Sequence, residues 1–260
     1  MPRPSVIRRP AAVLLTAATL LSASSCLVRT PDQARDPVAT SALTPDAQDG
    51  PDPALTGAQA RSALVGEADL GAPWAPSEGA ATWRDGMLKA TTNAAPDCQR
   101  LLEALYTEEL FGSPWGSEAA VTALDDTDDL AQLRYQVAAH RPADVDRALA
   151  WLRTLPGSCG QFLATTTRSG AEAVQVEELP LPAVGDARQG LRITLTGEAG
   201  TDGDAPVLSV DLAAVRVGDQ SIVLTLGAPG TVLPDDTARR ALEVGAQRLA
   251  QVRDEARAQA

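Results

Sequence analysis

The sequence predicts an α+β domain: an antiparallel β-sheet packed with helices, preceded by an export signal and a flexible tether. Two patterns carry the prediction. Five segments, starting near Gln132, Val174, Leu191, Leu208 and Ile222, alternate apolar and polar residues as strands with one face in a core do. Stretches following Pro96, Asp144 and Asp235 instead repeat apolar residues every three to four positions, as amphipathic helices do. Strands with one polar face, joined by hairpins, form antiparallel sheets, and helices cover the apolar side.

The chain opens on Arg3, Arg8 and Arg9, then an apolar run of eleven residues, Ala11 to Leu21. A permanent span needs about 20 residues, so this run fits a secretory signal instead. Ser22-Ala23-Ser24-Ser25-Cys26 follows and resembles a bacterial lipobox, departing from it at Ala23, where Leu or Val is usual. The resemblance implies cleavage after residue 25, with Cys26 as the lipidated N-terminus. At about 0.8 kcal/mol per buried methylene, two acyl chains make a lasting anchor where one does not. An ordinary signal with a cysteine close by is the alternative, and the export route, Sec or twin-arginine, stays open.

Residues 26–53 are rich in proline and aspartate and show no apolar period, which predicts a tether that cannot offset its ordering entropy. The domain is expected over residues 54–257. Thr56 is placed to cap a short helix, with Ala60, Ala63 and Leu64 on one face. A turn-rich loop, DLGAPWAPSEG, comes next, and the stretch from Trp83 to Thr92 has no readable period. Leu101, Leu102 and Leu105 predict a helix after Pro96, and Glu118 to Leu124 reads as a strand. From Gln132 to Ala138, Leu133, Tyr135 and Val137 point inward, with Gln132, Arg134 and Gln136 outward. The helix from Asp144 to Leu155 should stop at Pro156-Gly157. In the strand from Leu208 the apolar phase shifts across Ala213-Ala214, which predicts a bulge. Gly218-Asp219 fits a two-residue hairpin turn. A final helix runs from Asp235 to Arg257.

The formal charge is −12, more negative by three if Arg3, Arg8 and Arg9 leave with a signal. Such a body repels phosphate backbones, so nucleic acid is not expected as a partner. With Cys26 modified, Cys98 and Cys159 remain, an even count that predicts a disulfide in an oxidising compartment. With one histidine and two distant thiols, no metal ligand set is expected, nor any cofactor. His140, the single imidazole, stands at a strand end; no Gly-x-Ser-x-Gly elbow accompanies it, so no catalytic residue is assigned. The acidic pairs Asp125-Asp126 and Asp128-Asp129 read as a solvated turn. Trp74 and Trp115 lie in Pro/Gly-rich loops; they either line a ligand cleft or cap the edge of the core. Trp151 belongs beside the apolar stripe of its helix.

The order of "ALTGAQARSALVGEADL", "PDCQRLLEAL", "LPGSC", "LPAVGDARQGLRITL" and "SVDLAAVRVGDQSIVLTL" resembles actinobacterial lipoproteins with a PknH-like extracellular sensor domain. Its clearest pieces are Val184-Gly185-Asp186 and Val215-Arg216-Val217-Gly218-Asp219. The resemblance implies a curved antiparallel sheet, packed helices and a cleft for an unidentified ligand. The chain departs from kinase-linked relatives in keeping one cysteine pair where they have two, and in lacking a kinase domain or membrane helix. The expectation is a non-enzymatic cell-envelope lipoprotein, held on the extracytoplasmic face of the membrane and binding a small ligand or an envelope protein. A secreted envelope hydrolase and a protein-interaction scaffold are the rival readings.

Overall fold

The computed structural model describes residues 55–259, apart from 117, 127, 129, 201–202, 231–232 and 234–235. The signal, Cys26, the tether and the start of the domain at residue 54 lie outside the described residues. None of the described helices is long and apolar enough to cross a membrane.

Thr56 caps α1 (Gly57–Ser62) through a reciprocal box in which its hydroxyl takes the Gln59 N–H and the Gln59 side chain takes the Thr56 N–H. The expected turn-rich loop holds more structure than its composition shows: α2 (Glu67–Leu70) and an edge strand, β1 (Trp74–Pro76). The stretch with no readable period is a π-helical turn, Arg84–Leu88, followed by β2 (Ala90–Thr91). Next come α3 (Pro96–Thr107), β3 (Ala120–Asp126) and β4 (Ala131–Ala139). Helix α4 (Pro142–Ser158) carries Pro156 in its last turn and ends one turn later than the sequence predicts. The remainder is β5 (Gln161–Thr166), β6 (Gly170–Glu178), β7 (Ala187–Gly197), β8 (Val207–Val217), β9 (Gln220–Pro229) and α5 (Thr237–Gln259). Strand β5 escapes a period-two reading because Leu163 points to solvent, 71% exposed, while Ala164 is buried.

Among the described residues, nine strands join one antiparallel sheet in the order β1-β3-β4-β9-β8-β7-β6-β5-β2. Helices cover opposite faces at opposite ends. On one face α5 and α1 pack over β3, β4, β8 and β9, burying Leu133, Tyr135, Val137, Val215, Ile222 and Leu224. On the other face α3 and α4 cover the β5–β8 end, burying Leu191, Ile193, Leu195, Leu208, Val210 and Leu212.

This arrangement corrects the expected bulge. β8 pairs without interruption to β7 and to β9 across Ala213 and Ala214. Leu208, Val210, Leu212 and Ala214 face one core; Ala213, Val215 and Val217 face the other. The apolar phase changes because the covering helices change sides, with no extra residue in the strand. Gly218 opens the β8–β9 hairpin turn with φ of 63°, as that position requires.

Cys98 near the start of α3 and Cys159 at the end of α4 are joined by a disulfide across 61 positions. By the chain-entropy estimate, a loop of this size contributes about 4 kcal/mol. The bridge fastens together the two helices that cover the β5–β8 end.

Candidate functional site

Because the helices divide the faces between them, half of each face lacks a helix. On the face opposite α5, the β3–β4–β9 end is lined by polar side chains and walled by two chain segments, residues 77–84 and 108–116. Its floor presents Asp125 from β3, Gln132, Arg134 and Gln136 from β4, and Ser221, Thr225 and Gly227 from β9, all on one face by register. These are the residues of β4 that the sequence assigns to solvent. Gln132 is in fact 4% exposed, because a wall stands over it.

One cavity of about 500 Å³ lies at the Gln132 end, lined by residues 79–83, Asp125, Gln132, Leu130 and Pro229. Gln132 fastens its wall. The amide nitrogen donates toward Ser77 Oγ (3.1 Å), Gly79 O (2.9 Å) and Asp125 Oδ1 (2.8 Å), and the amide oxygen accepts the Ala81 N–H at 3.3 Å. The Ser77 hydroxyl also donates to Gly79 O at 2.7 Å, and Ser77 Oγ accepts the Gly79 N–H at 3.3 Å, so wall, Gln132 and Asp125 form one connected network. The Trp83 indole lies over Gly227, where a Cβ would stand 2.5 Å from Cη2. Glycine is what allows this approach. The indole N–H is buried and has no acceptor among the described residues.

A second cavity, about 220 Å³, lies at the other end, between residues 108–114 and Gln136, Ala138, His140, Ser221 and Val223. His140 Nδ1 meets Ser221 Oγ at 2.8 Å, and Nε2 meets the Gly112 carbonyl at 3.3 Å. The Ser221 hydroxyl also reaches Ala138 O at 3.3 Å. Burial holds the imidazole below its ordinary pKa, against the opposing pull of the Gly112 and Ala138 carbonyls and of Asp144. His140 is buried. It pins the 108–116 wall to the sheet.

Between the cavities stands an ion triad. Glu108 Oε1 lies 2.8 Å from Arg84 and Oε2 lies 2.5 Å from Arg134. Arg84 also donates to the Tyr106 carbonyl at 3.0 Å. Glu108 is the C-cap of α3 and takes φ of 61°, a left-handed backbone that glycine or asparagine ordinarily supplies. Holding a glutamate there costs about 1 kcal/mol or more, and the two guanidinium contacts offset it.

The sequence-predicted residues fall elsewhere. Trp74 is 7% exposed in the edge strand, packed into the α5-side core opposite Asp126. Trp115 is 49% exposed in the 108–116 segment. Neither lines either cavity, so the two do not frame a common cleft. Trp151 packs at the edge of the α3–α4 core, its N–H on Asp97 at 3.1 Å and Arg100 stacked 3.9 Å above its ring. Sequence reasoning missed Arg84, Glu108, Gln132 and Arg134. The available signal was the polar side of the β4 alternation, which reads the same whether water or a wall lies above it. Among the described residues no group of three or more His, Cys, Asp or Glu is placed to hold a metal ion.

No protein-family model matches the chain, and no curated protein does. Among solved structures it is similar to the extracellular domain of PknH from Mycobacterium tuberculosis, with 12% identity and a TM-score of 0.43, covering 78% of this chain and 99% of that one. It is also similar to LpqN of Mycobacterium tuberculosis, a protein involved in cell envelope biogenesis, with 13% identity and a TM-score of 0.23, covering 54% of this chain and 79% of that one.

Proposed function

We propose that this chain is a cell-envelope lipoprotein, anchored through Cys26 on the extracytoplasmic face, whose domain receives a small ligand or an envelope partner in the polar cleft over β3–β4–β9. One observation carries the binding reading: half of a sheet face is left without a helix, is walled by two segments, and holds the buried Trp83 N–H with no acceptor among the described residues. A face that only had to be stable would be covered or plainly solvated. The N-terminal arginines, the short apolar run and Cys26 support the placement, and the Cys98–Cys159 bridge fits an oxidising compartment.

The role is recognition without chemistry on the ligand. The 2.8 Å contact between His140 and Ser221 favours a hydrolase as second reading. Against it, the far ring nitrogen faces the Gly112 carbonyl instead of a carboxylate, and the hydroxyl is also turned toward Ala138 O.

Thermal unfolding of the full lipoprotein with fractionated envelope extract tests the binding reading, since a bound ligand raises the midpoint by mass action. A saturable rise that survives Ser221→Ala is the expected result. No rise with any fraction refutes the binding role, and mass spectrometry showing no acyl group at Cys26 refutes the anchor.

A further inference from the structure

We propose that Arg84 and Arg134 form a binding site for a compact oxyanion, a carboxylate or phosphate group, and that Glu108 occupies this site from within the chain until a ligand displaces it. The inference rests on reading the cleft as the ligand site and names the chemistry of that ligand.

The two guanidinium groups are held as a pair. Each takes a different oxygen of the same carboxylate, at 2.8 and 2.5 Å, so the pair already spans one bidentate anion. Removing the Glu108 side chain leaves two neighbouring positive charges with one anion-sized gap between them. Arg84 is held independently by the Tyr106 carbonyl and stays in place when Glu108 leaves. The Arg134 side chain is 32% exposed, so the site is reachable from solvent.

The occupant is also set apart. Glu108 reaches the arginines from a left-handed backbone at the end of α3. A residue kept in that conformation is one its surroundings over-determine, and the inference runs from that outlier to a role. Its position is the junction of the cleft: Glu108 lines the smaller cavity, and Trp83, adjoining Arg84, lines the larger. Swinging Glu108 out opens the boundary between them and exposes both arginines together. Glu109 and Glu118 line the smaller cavity and Asp125 the larger, so an extended polyanion is repelled and a single compact group fits.

The test is calorimetric titration of the full chain with inorganic phosphate and with succinate, comparing wild type, Glu108→Ala and the double variant Glu108→Ala/Arg134→Gln. Glu108→Gln serves in its place if the alanine variant does not fold. Binding at least about tenfold tighter in Glu108→Ala than in wild type, abolished in the double variant, is the expected result, since a hydrogen bond to a charged group is worth about that factor. Two further arms identify the source of the group: retention on phosphatidylglycerol vesicles but not phosphatidylcholine ones indicates a lipid headgroup, and phosphate binding without retention indicates a soluble ligand. A folded Glu108→Ala or Glu108→Gln that binds neither anion more tightly than wild type overturns the proposal, as does binding that persists in the double variant. In that event a rise in the wild-type melting midpoint with envelope extract leaves the cleft as a ligand site of other chemistry; no rise removes both.

Discussion

Glu172 is the most exposed point of the fold to a change of pH, although water barely touches it. It sits in β6, opposite Ala164 of β5 and Gly197 of β7, with 1% of its surface exposed. Neither carboxylate oxygen has a hydrogen-bond partner among the described residues. Burial pushes its pKa from 4.5 up to about 7. A raised acid binds its proton more tightly when folded. Its contribution to stability is therefore complete below about pH 4.5 and is lost as pH rises through about 7. The span between the two values corresponds to about 3 kcal/mol, an order-of-magnitude figure. For a domain of this size that is a shift of roughly 5–10 °C in melting midpoint. Glu172→Gln keeps the shape of the protonated acid and removes the titration. Thermal unfolding of both proteins at pH 5, 6, 7 and 8 isolates the effect, since every other group cancels in the difference. The variant is expected to pull ahead of wild type progressively between about pH 5 and pH 7 and to keep a constant lead by pH 8. Parallel curves across the range, or a variant that is less stable at pH 8, refute the reasoning.

Asp69 works in the opposite direction. Its carboxylate takes two contacts from Arg248, at 2.7 and 3.0 Å, and the Gly66 N–H at 2.8 Å; the Arg248 hydrogen bond comes first in holding its pKa below the usual carboxylate value. Its stabilisation is present above pH 3.8 and fades as pH falls through the lowered value, so Asp69→Asn should cost about 1 kcal/mol at pH 7 and progressively less as pH falls below 3.8, read from urea midpoints. Gly245 of α5 faces Tyr135, where an added Cβ would fall 2.0 Å from the hydroxyl oxygen. Helix propensity favours alanine there by about 1 kcal/mol, but overpacking costs about 1–3 kcal/mol, so Gly245→Ala should lower the urea midpoint, and a rise contradicts the packing argument.

The legible part of the fold was that set by local rules. The Thr56 cap, the Leu101-Leu102-Leu105 stripe of α3, the core positions of β4 and the Gly218 turn follow from hydrogen-bonding capacity, period and backbone freedom, and the structure has each of them. The site was hardly legible. Gln132 and Arg134 are polar residues on an alternating strand, and no local rule says whether water or a wall of chain 50 residues earlier stands over them. Trp74 sits in a Pro/Gly-rich stretch whose composition reads as a loop, yet three residues of it pair with β3 and carry the indole into the core.

By itself the sequence determined the class of the domain, since period and turn chemistry act over a few residues, and it carried the pairing of Cys98 with Cys159 as a matter of even count. Tertiary structure decided which face of each strand is covered. That choice depends on helices distant in the chain, α3 and α4 on one side and α5 on the other, and it alone turns a shift of apolar phase in β8 into a two-sided core. The same choice leaves half a sheet face without a helix, where Arg84, Glu108 and Arg134 meet. Sheet register and helix docking, both long-range, place such a site, and no stretch of ten residues contains the information to do so.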